Sequence, residues 1–253
     1  MKITFLGTGT SSGVPMIACS CKVCTSRDPK DKRLRSSILI QDHNLNIVVD
    51  TTPDFRCQML RVGLKHLDAI LITHSHKDHI AGMDDVRAFN YFQKKPVDIY
   101  ATIPSQEVIK KEFSYAFADK KYPGIPEIRL HTIDSSPFQI KDIPIIPVEV
   151  LHFKMPVTGF RIGDFTYITD ANYITEKEKS KIKGTKILVL NALRFEHHVS
   201  HFTLPEALAL ADELEVEQAY FTHISHQLGL HSEVSSQLKK GRYLAYDGLT
   251  LEL

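Results

Sequence analysis

Residues 73 to 79 read Thr-His-Ser-His-Lys-Asp-His and follow an apolar run, Leu67 to Ile72, that has the character of a buried strand. Four side chains able to bind metal therefore fall within six residues. A strand sends alternate side chains to one face, so His74 and His76 are expected to project together at its end while Asp78 and His79 continue into the turn. A divalent ion takes three or four donors and keeps a position open for water, so two neighbouring ions need more ligands than this motif holds. The chain must then adopt a fold that carries distant residues to the same rim.

Three later residues meet that requirement, each ending a strand-like run. His152 follows Ile143 to Leu151, Asp170 follows Phe165 to Thr169, and His223 follows Ala219 to Thr222. Sheets place such end residues along one edge, where loops converge and solvent can reach an open coordination position. His74, His76, Asp78, His79, His152, Asp170 and His223 on one rim would hold two ions. Imidazoles and carboxylates accept zinc, manganese or iron.

The remaining pattern agrees with such a scaffold. Strand-like runs also cover Ile3 to Leu6, Ser37 to Ile40, Leu45 to Val49, Ala69 to Thr73, Val97 to Ala101, Gly159 to Ile162 and Ile187 to Leu190. Helical candidates at Pro53 to Val62, Ser105 to Phe117, Thr175 to Ile182, Leu204 to Leu214 and Glu233 to Leu238 are interspersed with them, which predicts a layered α/β fold. With 253 residues, 43% of them hydrophobic, and no evident linker, one domain over 1–253 is expected. Thirty-one basic residues against thirty acidic ones leave a charge of +1, so no global field recruits nucleic acid or an anionic membrane. No segment approaches 18 consecutive apolar residues and the chain opens directly on a strand, so a soluble, cytoplasmic protein acting on a small molecule is expected.

Three of the four cysteines crowd into Cys19-Ser20-Cys21-Lys22-Val23-Cys24, a spacing suited to thiolates around one metal. A zinc-binding loop at about 17–27 is expected, with His226 as fourth donor and His231 as the rival. Because His223 and His226 share Thr222-His223-Ile224-Ser225-His226-Gln227, one short loop would serve both metal sites. Cys57 is expected to be a core thiol. Gly7 to Gly13 lacks the Gly-Lys-Ser/Thr ending of a nucleotide-binding loop and fits a turn leading into the zinc loop.

Thr203 and Glu206 have capping-box spacing, with Pro205 tolerated in the first turn, so His201 lies just before a helix start. An imidazole there could donate a proton near neutral pH. Arg194, with His197 and His198, is a candidate to line the same pocket, where a guanidinium could grip a phosphate.

The order H-x-H-x-D-H, lone His, Asp, final His resembles the metallo-β-lactamase fold superfamily across nearly the whole chain. That resemblance implies an α/β, four-layer αβ/βα sandwich, with His74, His76 and His152 on one metal, Asp78, His79 and His223 on the other, and Asp170 bridging them. The added C-x-C-x2-C and T-H-I-S-H-Q motifs resemble the subgroup containing the phosphodiesterase of the carbon–phosphorus lyase pathway. The implied activity is dinuclear metal-dependent hydrolysis of a small, cyclic phosphodiester through a hydroxide shared by the ions and oriented by Asp78 and Asp170, with His201 as proton donor. The implied cofactors are two active-site ions, manganese or zinc, and one structural zinc; a homodimer is also implied. The competing expectations are a tRNA 3′-end processing nuclease, for which no basic Gly-rich arm is evident, and a non-hydrolytic cofactor-biosynthesis relative of the same fold. Specificity loops are expected at about 84–95 and 113–126, and neither contains a motif that specifies a substrate.

Overall fold

The computed structural model describes residues 1–120 and 122–253; Lys121, within the 113–126 loop, lies outside the described residues. The strands are β1 (Lys2–Gly7), β2 (Ser37–Asp42), β3 (Leu45–Val49), β4 (Ala69–Leu71), β5 (Val97–Ala101), β6 (Ile128–Thr132), β7 (Phe138–Ile140), β8 (Ile143–His152), β9 (Met155–Ile162), β10 (Phe165–Tyr167), β11 (Ile187–Asn191), β12 (Gln218–Thr222), β13 (Arg242–Leu244) and β14 (Thr250–Glu252). The helices are α1 (Phe55–Val62), α2 (Lys77–Ile80), α3 (Arg87–Gln93), α4 (Ile103–Glu112), α5 (Ser114–Phe117), α6 (Glu176–Ile182), α7 (Leu204–Glu213) and α8 (His231–Ser235). The chain divides into two compact units, the first built from residues 1–6, 37–134 and 250–252, the second from 7–36, 135–249 and 253.

The first unit holds a seven-stranded sheet in the order β14-β1-β2-β3-β4-β5-β6. Strands β3 to β6 run parallel, while β2 is antiparallel to β3 and β14 to β1. Every residue of β4 is buried, as befits a strand covered on both faces. Phe55 and Met59 of α1, Phe89 of α3 and Ile109 of α4 pack with Val48, Ile70 and Ile99 of the sheet. The second unit holds another mixed sheet in the order β13-β12-β11-β10-β9-β8-β7, parallel from β10 to β13 and antiparallel over the rest. Leu204, Ala207, Leu210 and Ala211 recur at helical spacing along α7 and bury against Leu188, Leu190 and Phe221. The α/β expectation therefore holds in both units.

Several local expectations are corrected. The strand β4 stops at Leu71, two residues short of Thr73, so His74 to His76 lie in the loop beyond it, and Asp78 and His79 sit in α2 instead of a turn. Cys57 is exposed, because α1 buries Phe55, Gln58 and Met59 and turns the intervening position outward. The stretch 84–95 is largely helical, containing α3. The helix expected at Ser105 to Phe117 begins at Ile103 and is broken at Phe113 into α4 and α5. The last helix lies at His231–Ser235, ahead of the expected Glu233 to Leu238, where Asp31 Oδ1 accepts a bond from the His231 N–H at 2.7 Å.

Candidate metal centres

In the first unit, parallel strands β3 and β4 end side by side, and the Asp50 N–H bonds the Leu71 carbonyl at 2.9 Å. Asp50 is fully buried with a left-handed φ of 66°, a conformation that Asp tolerates better than most residues. Its Oδ1 accepts from the Thr73 N–H at 2.9 Å, and its Oδ2 accepts from the Thr73 hydroxyl at 2.8 Å and from His79 Nδ1 at 2.7 Å. Burial pushes this carboxyl above the ordinary range, while the His79 ring and Thr73 pull it down. The sequence reading missed Asp50, although it ends an apolar strand as Asp170 does.

The other donors of the motif gather around His79. The His74 ring lies 4.1 Å from that of His79 and 4.7 Å from that of His76, centroid to centroid, and Asp78 Oδ2 lies 3.2 Å from His79 Nε2. His74 and His79 are buried, whereas His76 caps α2 from an exposed position. With Nδ1 of His79 donating to a carboxylate, Nε2 carries the lone pair that a cation needs, an arrangement common among metal-binding histidines.

The second unit assembles His152, Asp170, His201 and His223. His152 is the last residue of β8, Asp170 follows β10, and His223 follows β12; the latter two adopt left-handed φ values of 54° and 57°. His152 Nδ1 donates to the Ser200 carbonyl at 2.8 Å, so Nε2 is the nitrogen that could face a cation. Asp170 Oδ1 lies 3.1 Å from His223 Nδ1 and accepts from the Thr169 hydroxyl at 2.6 Å. One ligand atom each of His152, Asp170 and His201 falls within 4.8 Å of the others. The His201 ring stands 4.5 Å from His152, 4.8 Å from His223 and 5.1 Å from His198. Burial, then the charge of His223, lowers His201 to about 3. Its buried Nδ1 has no hydrogen-bond partner among the described residues.

Arg194 is occupied by its own loop: Nε donates to the Glu196 carbonyl, Nη2 to the His197 carbonyl, and Nη1 to Gln227 Oε1 at 2.8 Å. Its geometry is that of a brace for residues 194–197.

The thiols of Cys19, Cys21 and Cys24 and a ring nitrogen of His226 form a separate group, all four atoms within 4.8 Å of one another. Cys19 Sγ and Cys21 Sγ each lie 3.3 Å from His226 Nδ1. Tetrahedral zinc with ordinary Zn–S and Zn–N bonds spaces its ligands roughly 3.5–3.8 Å apart, so three thiols and an imidazole at this separation fit that ion. The Cys24 N–H, then His226, draws the Cys21 thiol down to about 6, whereas burial pushes Cys24 up to about 11. His231 lies elsewhere, its Nδ1 accepting from Arg33 Nη2 at 3.2 Å.

The loop bearing His223 and His226 is clamped by the segment that begins Gly7-Thr8-Gly9. Ile224 N–H donates to the Thr8 carbonyl at 2.9 Å, and the Thr10 N–H donates to the Ile224 carbonyl at 3.1 Å. Gly9 lets the Arg33–Leu34 backbone close on the same segment from elsewhere, since a Cβ there would lie 2.9 Å from the Arg33 carbonyl. The glycines thus serve close backbone packing.

A family model described as the Beta-lactamase superfamily domain matches residues 45–224. A solved structure described as a new diphosphatase from the PhnP family is 41% identical, with a TM-score of 0.93 over 100% of this chain and 97% of that one. Coenzyme PQQ synthesis protein B of Methylorubrum populi is 32% identical over 307 residues, covering 100% of both chains. An octanoyltransferase of Porphyromonas gingivalis is 36% identical over 252 residues, which make up 98% of this chain and 51% of that protein. The chain spans about half the length of this last relative.

Proposed function

Because the chain belongs to the metallo-β-lactamase superfamily, we propose that it is a dinuclear metal-dependent phosphodiesterase acting on a small, cyclic phosphodiester. The observation that carries this reading is the donor set. His74, His76, Asp78 and His79 come from one unit and His152, Asp170 and His223 from the other, and both His79 and His152 are held by Nδ1 so that Nε2 is the ligand atom. On this reading Asp170 is a ligand shared by two ions. The likeness to a diphosphatase supports phosphorus chemistry. Octanoyl transfer is not carried over, since half of the relative bearing that name lies beyond the match.

Two divalent ions, manganese or zinc, would supply an activated water and neutralise charge on the phosphoryl oxygens. The chain's own residues supply orientation and the proton. Asp50 fixes the tautomer of His79, and Thr169 fixes the Asp170 carboxylate. Burial, then the neighbouring His223, keeps His201 neutral, and an anionic phosphoryl group settling beside it would favour the imidazolium. The imidazolium then gives its proton to the departing alkoxide. Cys19, Cys21, Cys24 and His226 would hold a zinc that braces the loop carrying His223.

A panel of bis(p-nitrophenyl) phosphate, 2′,3′-cyclic AMP, ribose 1,2-cyclic phosphate and precursor tRNA, offered to protein loaded with manganese or zinc, tests the reading. Turnover of the small cyclic esters is expected, with Asp170→Ala at least a hundredfold slower and depleted in metal. Inactivity of the wild-type protein on every phosphodiester would sink the proposal. Turnover of the tRNA alone would favour a 3′-end nuclease.

A further inference from the structure

Helices α1 and α3 of the first unit lie side by side, their starts together and their ends together. At one end the Gly82 N–H donates to the Thr51 carbonyl at 2.9 Å, and a Cβ on Gly82 would come 2.7 Å from Phe55 Cβ, so the chain approaching α3 passes the first residue of α1. At the other end Gln93 Oε1 accepts from the Leu67 N–H at 2.6 Å and Gln93 Nε2 donates to the Leu67 carbonyl at 3.0 Å, which ties the last residue of α3 to the chain leaving α1. Phe55 and Phe89 meet edge to face between the helices, ring centroids 6.3 Å apart.

A groove of about 460 Å³ opens between the two helices. Its floor belongs to the core, since Phe55, Met59 and Phe89 are buried in the cluster that packs on the sheet. Its rim does not: Leu60 is 65% exposed and Phe92 77%. A floor held by the core makes the groove preformed, and its volume and apolar lining are those of a small-molecule site. The rim side chains gain burial only when something occupies the groove.

Charge selects the occupant. Three lining residues are charged, Arg56 and Lys65 basic and Asp85 acidic. Arg56 in the first turn of α1 and Asp85, three residues past Gly82, share the end where the helices start, so their charges offset each other. Lys65 stands three residues past the last residue of α1, at the opposite end; it is exposed and has no hydrogen bond or ion pair with another described residue. Its alkyl stem can cover apolar wall while the ammonium stays at the mouth. With eight residues in α1 the groove is about 12 Å long, the reach of an extended alkyl chain of roughly ten carbons.

We propose that this groove binds an unbranched alkyl carboxylate of about that length. The tail lies on Phe55, Met59 and Phe89 between Leu60 and Phe92, and the carboxylate meets Lys65. No lining residue is a donor of the metal centres, so the site is additional to them.

Calorimetric titration of the manganese-loaded full chain with decanoate, decan-1-ol and decyltrimethylammonium, each kept below micelle formation, tests the assignment. Decanoate is expected to bind once per chain, the alcohol about ten-fold more weakly, and the cation more weakly still. Lys65→Gln should bring decanoate to the affinity of the alcohol and leave the alcohol unchanged. Ala88→Phe, which fills the groove from an exposed lining position of α3, should abolish binding of both with Tm retained. Should that variant lose stability, Phe92→Ala decides, with decanoate expected to bind several-fold more weakly. Absence of binding, equal affinity for the three head groups, or decanoate binding unaltered by the groove variants would overturn the site, the last by placing the carboxylate elsewhere, as on the metals. A dimer by sedimentation velocity that Ala88→Phe or Phe92→Ala dissociates would show the groove covered by a second copy and would overturn it as well.

Discussion

The His231 Nδ1 accepts a hydrogen bond from Arg33 Nη2 at 3.2 Å, so protonating that nitrogen would both break the bond and set a second cation against the first. Burial, then the charges of Arg33 and Lys30, push His231 down to about 4, with Asp28 and Asp31 opposing. Because the folded value lies below that of the unfolded chain, the unfolded state binds the extra proton in between. Stability contributed here is complete above pH 6.5 and is lost as the pH falls toward 4, on the order of 2 kcal/mol in all. Urea midpoints at pH 7 and pH 4.5 should show that loss, and His231→Asn should flatten it; an equal slope in the variant would assign the acid lability to other groups. The same cluster shows why single residues are hard to read from sequence. His231 was legible as the rival fourth donor to the cysteines, but its pairing depends on Arg33, nearly two hundred positions upstream. Asp50 was overlooked for a similar reason: its partnership with His79 appears only once β3 and β4 lie side by side.

Elements with local signals were legible, and α7 is the clearest. Thr203 Oγ1 accepts from the Glu206 N–H at 3.3 Å while Glu206 Oε2 accepts from the Thr203 N–H at 2.8 Å, completing the reciprocal cap that the spacing implied. Thr203→Ala should cost about 1 kcal/mol, a fall in Tm of roughly 2–4 °C for a chain of this length. Differential scanning calorimetry would read it, and a Tm within 1 °C of the wild type would mean the cap contributes nothing measurable. By contrast, α3 buries only Phe89 and Asn90 of its seven residues, too few to show helical periodicity, which is why its stretch read as a loop. The strands β13 and β14 are three residues long and owe their existence to distant partners, β14 pairing Glu252 with Lys2. Pairing of that kind leaves no imprint on the local sequence.

On the scale of the molecule, the metal motifs were legible because donor chemistry is rare and ordered along the chain, whereas the division into two units was not, since no linker composition marks it. The thiol cluster joins segments of the second unit that are about two hundred residues apart, Cys19 to Cys24 on one side and His226 on the other. Neighbouring contacts follow the same route: Lys22 pairs with Glu233 at 2.7 Å, and Asp31 accepts from Ser26 Oγ at 2.6 Å and from the His231 N–H at 2.7 Å. The ion pair is exposed and contributes little, so under the proposed function closure of this long loop would depend mainly on a metal ion held by the four donors. Free energy of zinc binding to a site absent from the unfolded chain is folding free energy. Cys24→Ala is therefore expected to lose one zinc per chain by elemental analysis and to lower Tm by roughly 5 °C or more. Since Ile224 is clamped between Thr8 and Thr10 in the loop that also presents His223, the variant should in addition bind its remaining ions more weakly in a chelator competition. Unchanged zinc stoichiometry would remove the cluster from the list of metal sites. Lost zinc with an unchanged Tm would leave it a metal site that does not hold the fold together.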